Sequence, residues 1–311
     1  MQVRKLVKAG QASHTVSLPK AWLQKNNLKA GDTLYIKEKS DKELIVTAEL
    51  KEASLPQKEI IISIEGKELD TIQRELSSAY VNNYRSIHFS GEGVEQKLPA
   101  IRTLLQGFVA LEITEQSPKS IVVKDLLDLN EISLDKTLKR MDMMVRTMLA
   151  ECGEPERNEQ LHVKDEEVNK LYFLLVRLLN SALTTQGMAE RFSLSHKQIL
   201  SQWYLVVNLE NLADYAKNAN NAAQNLGKEK TKAARELLHA IQQDFETIMK
   251  AWYQKDKAAA DAVARNRLTL VEHATNFVAK HRESLIVEFA EQCKAMTTVI
   301  TNIARIVLDT E

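Results

Sequence analysis

Hydrophobic positions along the 311 residues follow two rhythms. Up to about residue 128 they come in short runs of extended character. Val3, Leu6 and Val7 precede a turn at Ala9-Gly10-Gln11, His14 to Ser17 favour extended backbone, and Thr33 to Lys37 alternate around Tyr35. Between them Pro19 sits where a helix tolerates a missing N–H, which predicts a short helix from Pro19 to Asn26. Leu28-Lys29-Ala30-Gly31-Asp32 then turns the chain into the next strand. Residues 58–128 predict strands at Glu59–Ile64, Ser86–Phe89, Ala110–Thr114 and Ser120–Lys124, with helices at Leu69–Tyr84 and Val94–Gln106. That βαβαββ order suggests a small open α/β layer.

From about residue 131 the spacing becomes three-to-four, and the breakers disappear. Six of nine glycines and four of five prolines lie within residues 1–118, and after Pro155 only Gly187 and Gly227 interrupt the chain. Six helices are predicted, at 133–151, 163–186, 195–225, 228–255, 257–281 and 283–309. The breaks group them three and three, as two three-helix bundles in series with their apolar stripes inward. The expected organisation is α+β and multidomain: 1–50, a linking α/β layer at 51–130, and helical repeats at 131–226 and 227–311.

Composition changes this picture little. Apolar residues are 44% and charged residues 27%, which excludes wholesale disorder. Cys152 and Cys293 are too few for a disulfide framework and have no partner at metal-ligand spacing, which suits a reducing cytosol. No signal peptide is predicted, because the first residues contain no apolar run. The longest apolar run, Leu171 to Leu179, contains Arg177 and is too short to span a bilayer, so no membrane insertion is expected.

Charge changes it more. The net charge is zero, yet residues 1–39 carry eight Lys/Arg against Asp32 and Glu38, a balance of 8 − 2 = +6. Residues 40–130 stand at 10 − 15 = −5. A small basic module on a neutral body is the pattern of a chain that meets a polyanion at one end. A solvated charged surface would look the same, and charge alone does not separate the two. The 50-residue module also has too few large aliphatics to be stable alone, so it must pack on the rest of the chain or on a copy of itself.

Three segments of the module appear in order: Arg4-Lys5-Leu6-Val7-Lys8-Ala9-Gly10-Gln11, Thr15-Val16-Ser17-Leu18-Pro19-Lys20-Ala21-Trp22 and Leu28-Lys29-Ala30-Gly31-Asp32. Over about residues 2–48 they resemble the AbrB/SpoVT swapped-hairpin family. The resemblance implies a barrel interleaved from two chains, a homodimer, and basic residues near the first hairpin that contact double-stranded DNA. Arg4, Lys5, Lys8, Lys20 and Lys25 are the candidates. Arg4 is the expected base reader, since a guanidinium reads guanine bidentately while lysines act as point charges on phosphate. Some swapped-hairpin proteins bind partner proteins instead, and the module would then serve only to dimerise.

In the helical half, the predicted helix around 198–225 carries an apolar stripe through Ile199, Trp203, Val206 and Val207, which Glu210 and Asp214 extend. Two carboxylates on a core-facing stripe require a cation, a basic partner or water. Leu209-Glu210-Asn211-Leu212-Ala213-Asp214-Tyr215-Ala216-Lys217-Asn218 is similar to the PhoU signature, and Asp165-Glu166-Glu167-Val168-Asn169 resembles its companion acidic motif. That resemblance covers 131–311. It implies a divalent or iron-type metal ion at Asp165, Glu210 and Asp214, and a role in phosphate homeostasis with a phosphate transporter or sensor protein as partner. Asn169 stands where the motif has a carboxylate. In the second repeat Lys294 and Thr298 stand where Glu210 and Asp214 stand in the first, which leaves no second metal site. The alternative, that the carboxylates pair with lysines or face solvent, remains open.

Enzyme chemistry finds no foothold. There is no Walker A loop, no GxGxxG after a strand and no GxSxG elbow, and the seven histidines are scattered. The sequence reading is a cytoplasmic, homodimeric transcription regulator of phosphate uptake. Its rival is an adaptor of the PhoU type that binds a transporter or sensor kinase.

Overall fold

The computed structural model describes residues 3–10, 13–40, 42–48, 58–154, 157–185, 187–224, 226, 228–281 and 283–310, and the chain divides into two compact units, 1–54 and 55–311. Gln11, Pro155 and Gly227, which carry a predicted turn and two predicted breaks, lie outside the described residues.

In the first unit β1 (Val7–Lys8) pairs antiparallel with β2 (His14–Thr15). Gly10 takes φ +87° in the turn, a region that strains any residue with a β-carbon, and Ala9 N–H donates to Ser13 O at 2.9 Å. Pro19, with φ −65°, precedes α1 (Lys20–Lys25), and the Trp22 and Leu23 N–H groups close onto its carbonyl at 3.0 and 3.1 Å. A second hairpin joins β3 (Tyr35–Ser40) to β4 (Glu43–Thr47), with Ile36 facing Val46. The pattern reading omits β4, because Leu44-Ile45-Val46 is a short continuous run and not an alternation.

No described residue of this unit is buried. Val3, Leu6, Val7, Val16, Ile36 and Leu44 are each more than half exposed. The two hairpins form separate two-stranded sheets, so the barrel expected from the sequence does not close within one chain. Each of those side chains would gain roughly 1.5–3 kcal/mol on full burial, which a lone unit of this size forgoes.

The second unit begins with a four-stranded sheet of order β5-β6-β8-β7. Strands β5 (Lys58–Ser63) and β6 (Tyr84–Ser90) run parallel around α2 (Leu69–Val81). Strands β7 (Leu111–Ser117) and β8 (Ser120–Asp125) add antiparallel after α3 (Val94–Leu105). Alternation sorts the faces: Ile62, Ile87, Phe89, Ile121 and Val123 enter a core with Ile72, Leu76 and Ile101 from the helices, while Ile61 is 72% exposed.

Six long helices follow: α4 (Leu134–Glu151), α5 (Asn158–Thr184), α7 (His196–Ala223), α8 (Lys228–Gln254), α9 (Lys257–His281) and α10 (Ser284–Asp309), with a four-residue α6 (Met188–Arg191) before α7. Their limits fall within a few residues of the sequence reading, except that α5 starts five residues early. Ser133 caps α4, and Ser195 with Gln198 forms a reciprocal capping box on α7. After α4, Gly153 has φ +86°, a conformation that strains any residue with a β-carbon, and such a β-carbon would also press on the Leu238 side chain. The two sets of three share one continuous apolar core, in which α10 packs along α7 and Asn302 donates to Asn208 Oδ1 at 3.3 Å. No helix among the described residues is long and apolar enough to cross a membrane.

The charge inside the apolar run of α5 holds this unit together. Arg177 is fully buried. It forms a bidentate ion pair with Asp125 at the end of β8, donates from Nε to Asn83 Oδ1 at 2.8 Å, and lies 4.5 Å above the Tyr80 ring. Arg85 joins the same carboxylate and donates to Leu127 O at 2.6 Å. Beside it Asn180 donates to Val81 O and Asn83 to Ser181 Oγ, so sheet, α2 and α5 are fastened at one point.

Candidate nucleic-acid interface and acidic cluster

The basic candidates lie in the first unit and all five are exposed. Arg4 and Lys5 precede β1, Lys8 lies in β1 opposite His14, and Lys20 and Lys25 mark the two ends of α1. Arg4 Nη1 donates to Val3 O at 3.3 Å. The hairpin turn and the proline-initiated helix therefore present one cationic group after another on a unit with no interior of its own. A surface of this kind can neutralise phosphates in sequence-independent fashion, and Arg4 adds a planar fork for a base edge.

The acidic candidates lie in the second unit. Asp165 is on α5, and Glu210 and Asp214 are on α7, which runs beside it. One expectation is corrected. The buried stripe of α7 runs through Ile199, Val206, Leu209, Leu212, Ala213, Ala216 and Ala219. Glu210 and Asp214 do not extend it; they lie with Trp203 and Val207 on a half-buried flank. The 203-207-210-214 row runs along the edge of the packed face over its whole length.

Lys217 stands between the carboxylates. Its ammonium donates to Asp165 Oδ2 at 2.6 Å and to Asp214 Oδ1 at 2.7 Å, and these two bonds outweigh its desolvation and hold its pKa above the ordinary lysine value. Burial raises the pKa of Asp165 despite that partner. The cation that paired carboxylates require is thus a side chain three residues along the same helix. Among the described residues no group of three or more His, Cys, Asp or Glu side chains is arranged to hold a metal ion. Lys294, at the equivalent place on α10, is paired with Glu291 at 2.9 Å.

Glu210 is left over. Burial, then the charges of Asp214 and Asp165, push its pKa up to about 7, with only partial relief from Lys217. A raised carboxyl pKa means the folded state resists ionisation. The penalty is absent below the ordinary value of 4.5, grows with pH and is complete above about 7. Glu210→Gln should therefore stabilise the protein by about 1–3 kcal/mol at pH 8 and leave it nearly unchanged at pH 4.5. Thermal unfolding of both proteins at the two pH values checks this, and equal stability at pH 8 would refute it.

The sequence reading left pairing with lysines open, and Lys217 fills that place for Asp214 and Asp165; the same reading missed Arg177 as the anchor. For Arg177 the available signal was a lone charge inside an apolar helical run, which calls for a buried counter-charge. The free cysteines are both buried, and burial pushes the Cys152 thiol up to about 12, so it is inert as a nucleophile at neutral pH.

No curated protein matches the chain. Among solved structures, that of PhoU from Pseudomonas aeruginosa aligns with a TM-score of 0.47 and 14% identity, covering 56% of this chain and 93% of that one. Residues 12–53 match the family of MazE, the antidote-toxin recognition bacterial antitoxin, so the basic unit is similar to a MazE/AbrB-like module.

Proposed function

We propose that the protein is a homodimeric, DNA-binding transcription regulator of phosphate uptake, acting in the cytoplasm. The observation that carries this reading is the first unit itself: a net +6 over residues 1–39, every candidate base exposed, and exposed aliphatics on both hairpins that gain burial only from a partner. Pairing two copies buries those aliphatics and doubles the charge that faces DNA. The similarity of residues 12–53 to a MazE/AbrB-like module supports the same assignment. The phosphate role rests on the likeness of Leu209–Asn218 to the PhoU signature, with the helical unit as the input or partner-binding part.

A second reading has one observation in its favour, that the matching family is described as recognising a toxin protein. On this reading the hairpins dimerise and bind a protein, and the chain is an adaptor to a transporter or sensor. DNA binding by the full chain separates the two, and deleting residues 1–54 tests where that binding lies. The helical unit has its own core, so the truncated chain should keep its helical circular dichroism and become monomeric, and on the proposed function it loses DNA binding. Retention of DNA binding by the truncated chain would overturn the assignment.

A further inference from the structure

The first turns of α7 are apolar on both sides of the helix. Ile199, Leu205, Val206 and Leu209 enter the core, while Leu200 and Tyr204 are 61% and 47% exposed, with Trp203 and Val207 half-buried beside them. Spacings of three and four put those last four side chains on one flank, as a ridge about two turns long. A helix that is apolar all round is normally covered all round, and an exposed apolar ridge of this kind marks an interaction surface. The ridge widens onto α5, which α7 retraces after the short α6. The bond from Lys217 to Asp165 sets their register, and Leu183, about five turns beyond Asp165 on the same side of α5, adds an exposed aliphatic beside the start of α7.

Farther along the same flank the row turns polar at Asn211 and then acidic. Asp214 stands about 21 Å from Leu200 along the helix axis, with Glu210 and Asp165 next to it. These carboxylates share the one ammonium of Lys217, which is bonded to Asp165 and Asp214, so this end of the row is anionic. An anionic membrane surface would be repelled there, so the charge favours a protein partner over lipid. The complement to an apolar ridge with an acidic end is a helix with an apolar stripe and a basic end. Such a helix docks through residues at i, i+3, i+4 and i+7, the spacing that the ridge itself presents.

We infer that this flank of α7 is a docking surface for an amphipathic helix of another protein. The apolar stripe of that helix covers Leu200, Trp203, Tyr204 and Val207, and a lysine or arginine near its end meets the carboxylates around Asp214. The inference rests on the helical unit being the partner-binding part of the protein. Its test involves no DNA, so it can fail while the DNA reading stands, and the reverse.

The test is fluorescence-anisotropy titration of the full chain against a labelled helical peptide of about eighteen residues, long enough to span ridge and acidic end. Its stripe is leucine at helical spacing, its other face alanine and glutamine, and lysines occupy one end; a second peptide has glutamates in their place. The expected result is saturable binding of the lysine peptide, one per chain, at least about tenfold tighter than that of the glutamate peptide. Leu200→Glu/Tyr204→Glu should weaken it at least about tenfold with helical circular dichroism unchanged, since both positions are exposed. Leu268→Glu, at an equally exposed leucine on α9, should stay within about twofold, which separates docking on the ridge from general adhesion to apolar surface. Four results would overturn the inference. They are no saturable binding up to about 100 µM, equal binding of the two peptides, or affinity unmoved by Leu200→Glu/Tyr204→Glu. The fourth is a fall in the sedimentation mass of the full chain on that double substitution, which would show a second copy covering the ridge.

Discussion

Arg177→Met should destabilise the second unit by about 3–5 kcal/mol, a large share of the stability of any domain, because it strands a buried carboxylate. The Asp125 side chain is wholly shielded from solvent. Burial alone would push its pKa up; the hydrogen bonds and charge of Arg177, with Arg85 behind them, overcome this and hold it below the ordinary value of 3.8. A depressed folded-state pKa contributes stability that is present above 3.8 and is lost as pH falls through the folded value. The wild type should therefore lose stability on acidification through this window. Arg177→Met should lack that component, since Asp125 then prefers its proton even when folded. Urea unfolding at pH 7 and pH 3.5 checks both halves. Adding Asp125→Asn to Arg177→Met should recover part of the loss, because it is the unpaired charge that costs most. A single variant within about 1 kcal/mol of wild type would show that Arg85 suffices, and that the anchor is not where the geometry places it.

The second large effect concerns charge reversal in the basic unit. If a dimer places six to ten lysines and arginines on phosphates, its DNA affinity should fall roughly 10³–10⁵-fold between 50 and 200 mM salt. Lys5→Glu/Lys8→Glu changes four positions in the dimer, two per chain. Losing four contacts flattens the slope of log affinity against log salt by about 4 × 0.9, and the four new carboxylates repel the phosphates besides. The variant should thus bind at least about a hundredfold more weakly at 100 mM salt, with a much shallower salt dependence. Both residues are exposed in a unit without a buried core, so the change should leave folding and helical content untouched.

Much of this architecture was legible in the sequence because its signals are local. The four strands of the second unit fall within two or three residues of their expected positions, since β-branched runs such as Ile60-Ile61-Ile62 and the flanking glycines mark them without reference to anything distant. The long helices were legible for the same reason: Ser133, Ser195 and Gly153 punctuate an otherwise unbroken three-to-four pattern. Two local signals were weaker. Strand β4 lacks alternation, and the start of α5 at Asn158–Gln160 is polar, with Leu161 the first residue that reports burial. The rest was not legible because it depends on partners far along the chain. Arg177 finds Asp125 and Asn83 at separations of 52 and 94 residues, and Lys217 finds Asp165 at 52. The expectation for the acidic cluster failed at one step, the face of the helix. Trp203, Val207, Glu210 and Asp214 share one half-buried flank beside the face that Ile199, Val206, Leu209 and Ala213 bury, and the pattern reading merged the two faces into one stripe.

The most direct measurement is fluorescence-anisotropy titration of the full chain against two duplexes of equal length, the upstream region of a phosphate transporter gene and a scrambled sequence, from 50 to 200 mM salt. The account predicts tighter binding to the promoter, a steep salt dependence, and loss of both in Lys5→Glu/Lys8→Glu. Equal, weak binding to both duplexes that the double variant leaves unchanged would contradict it.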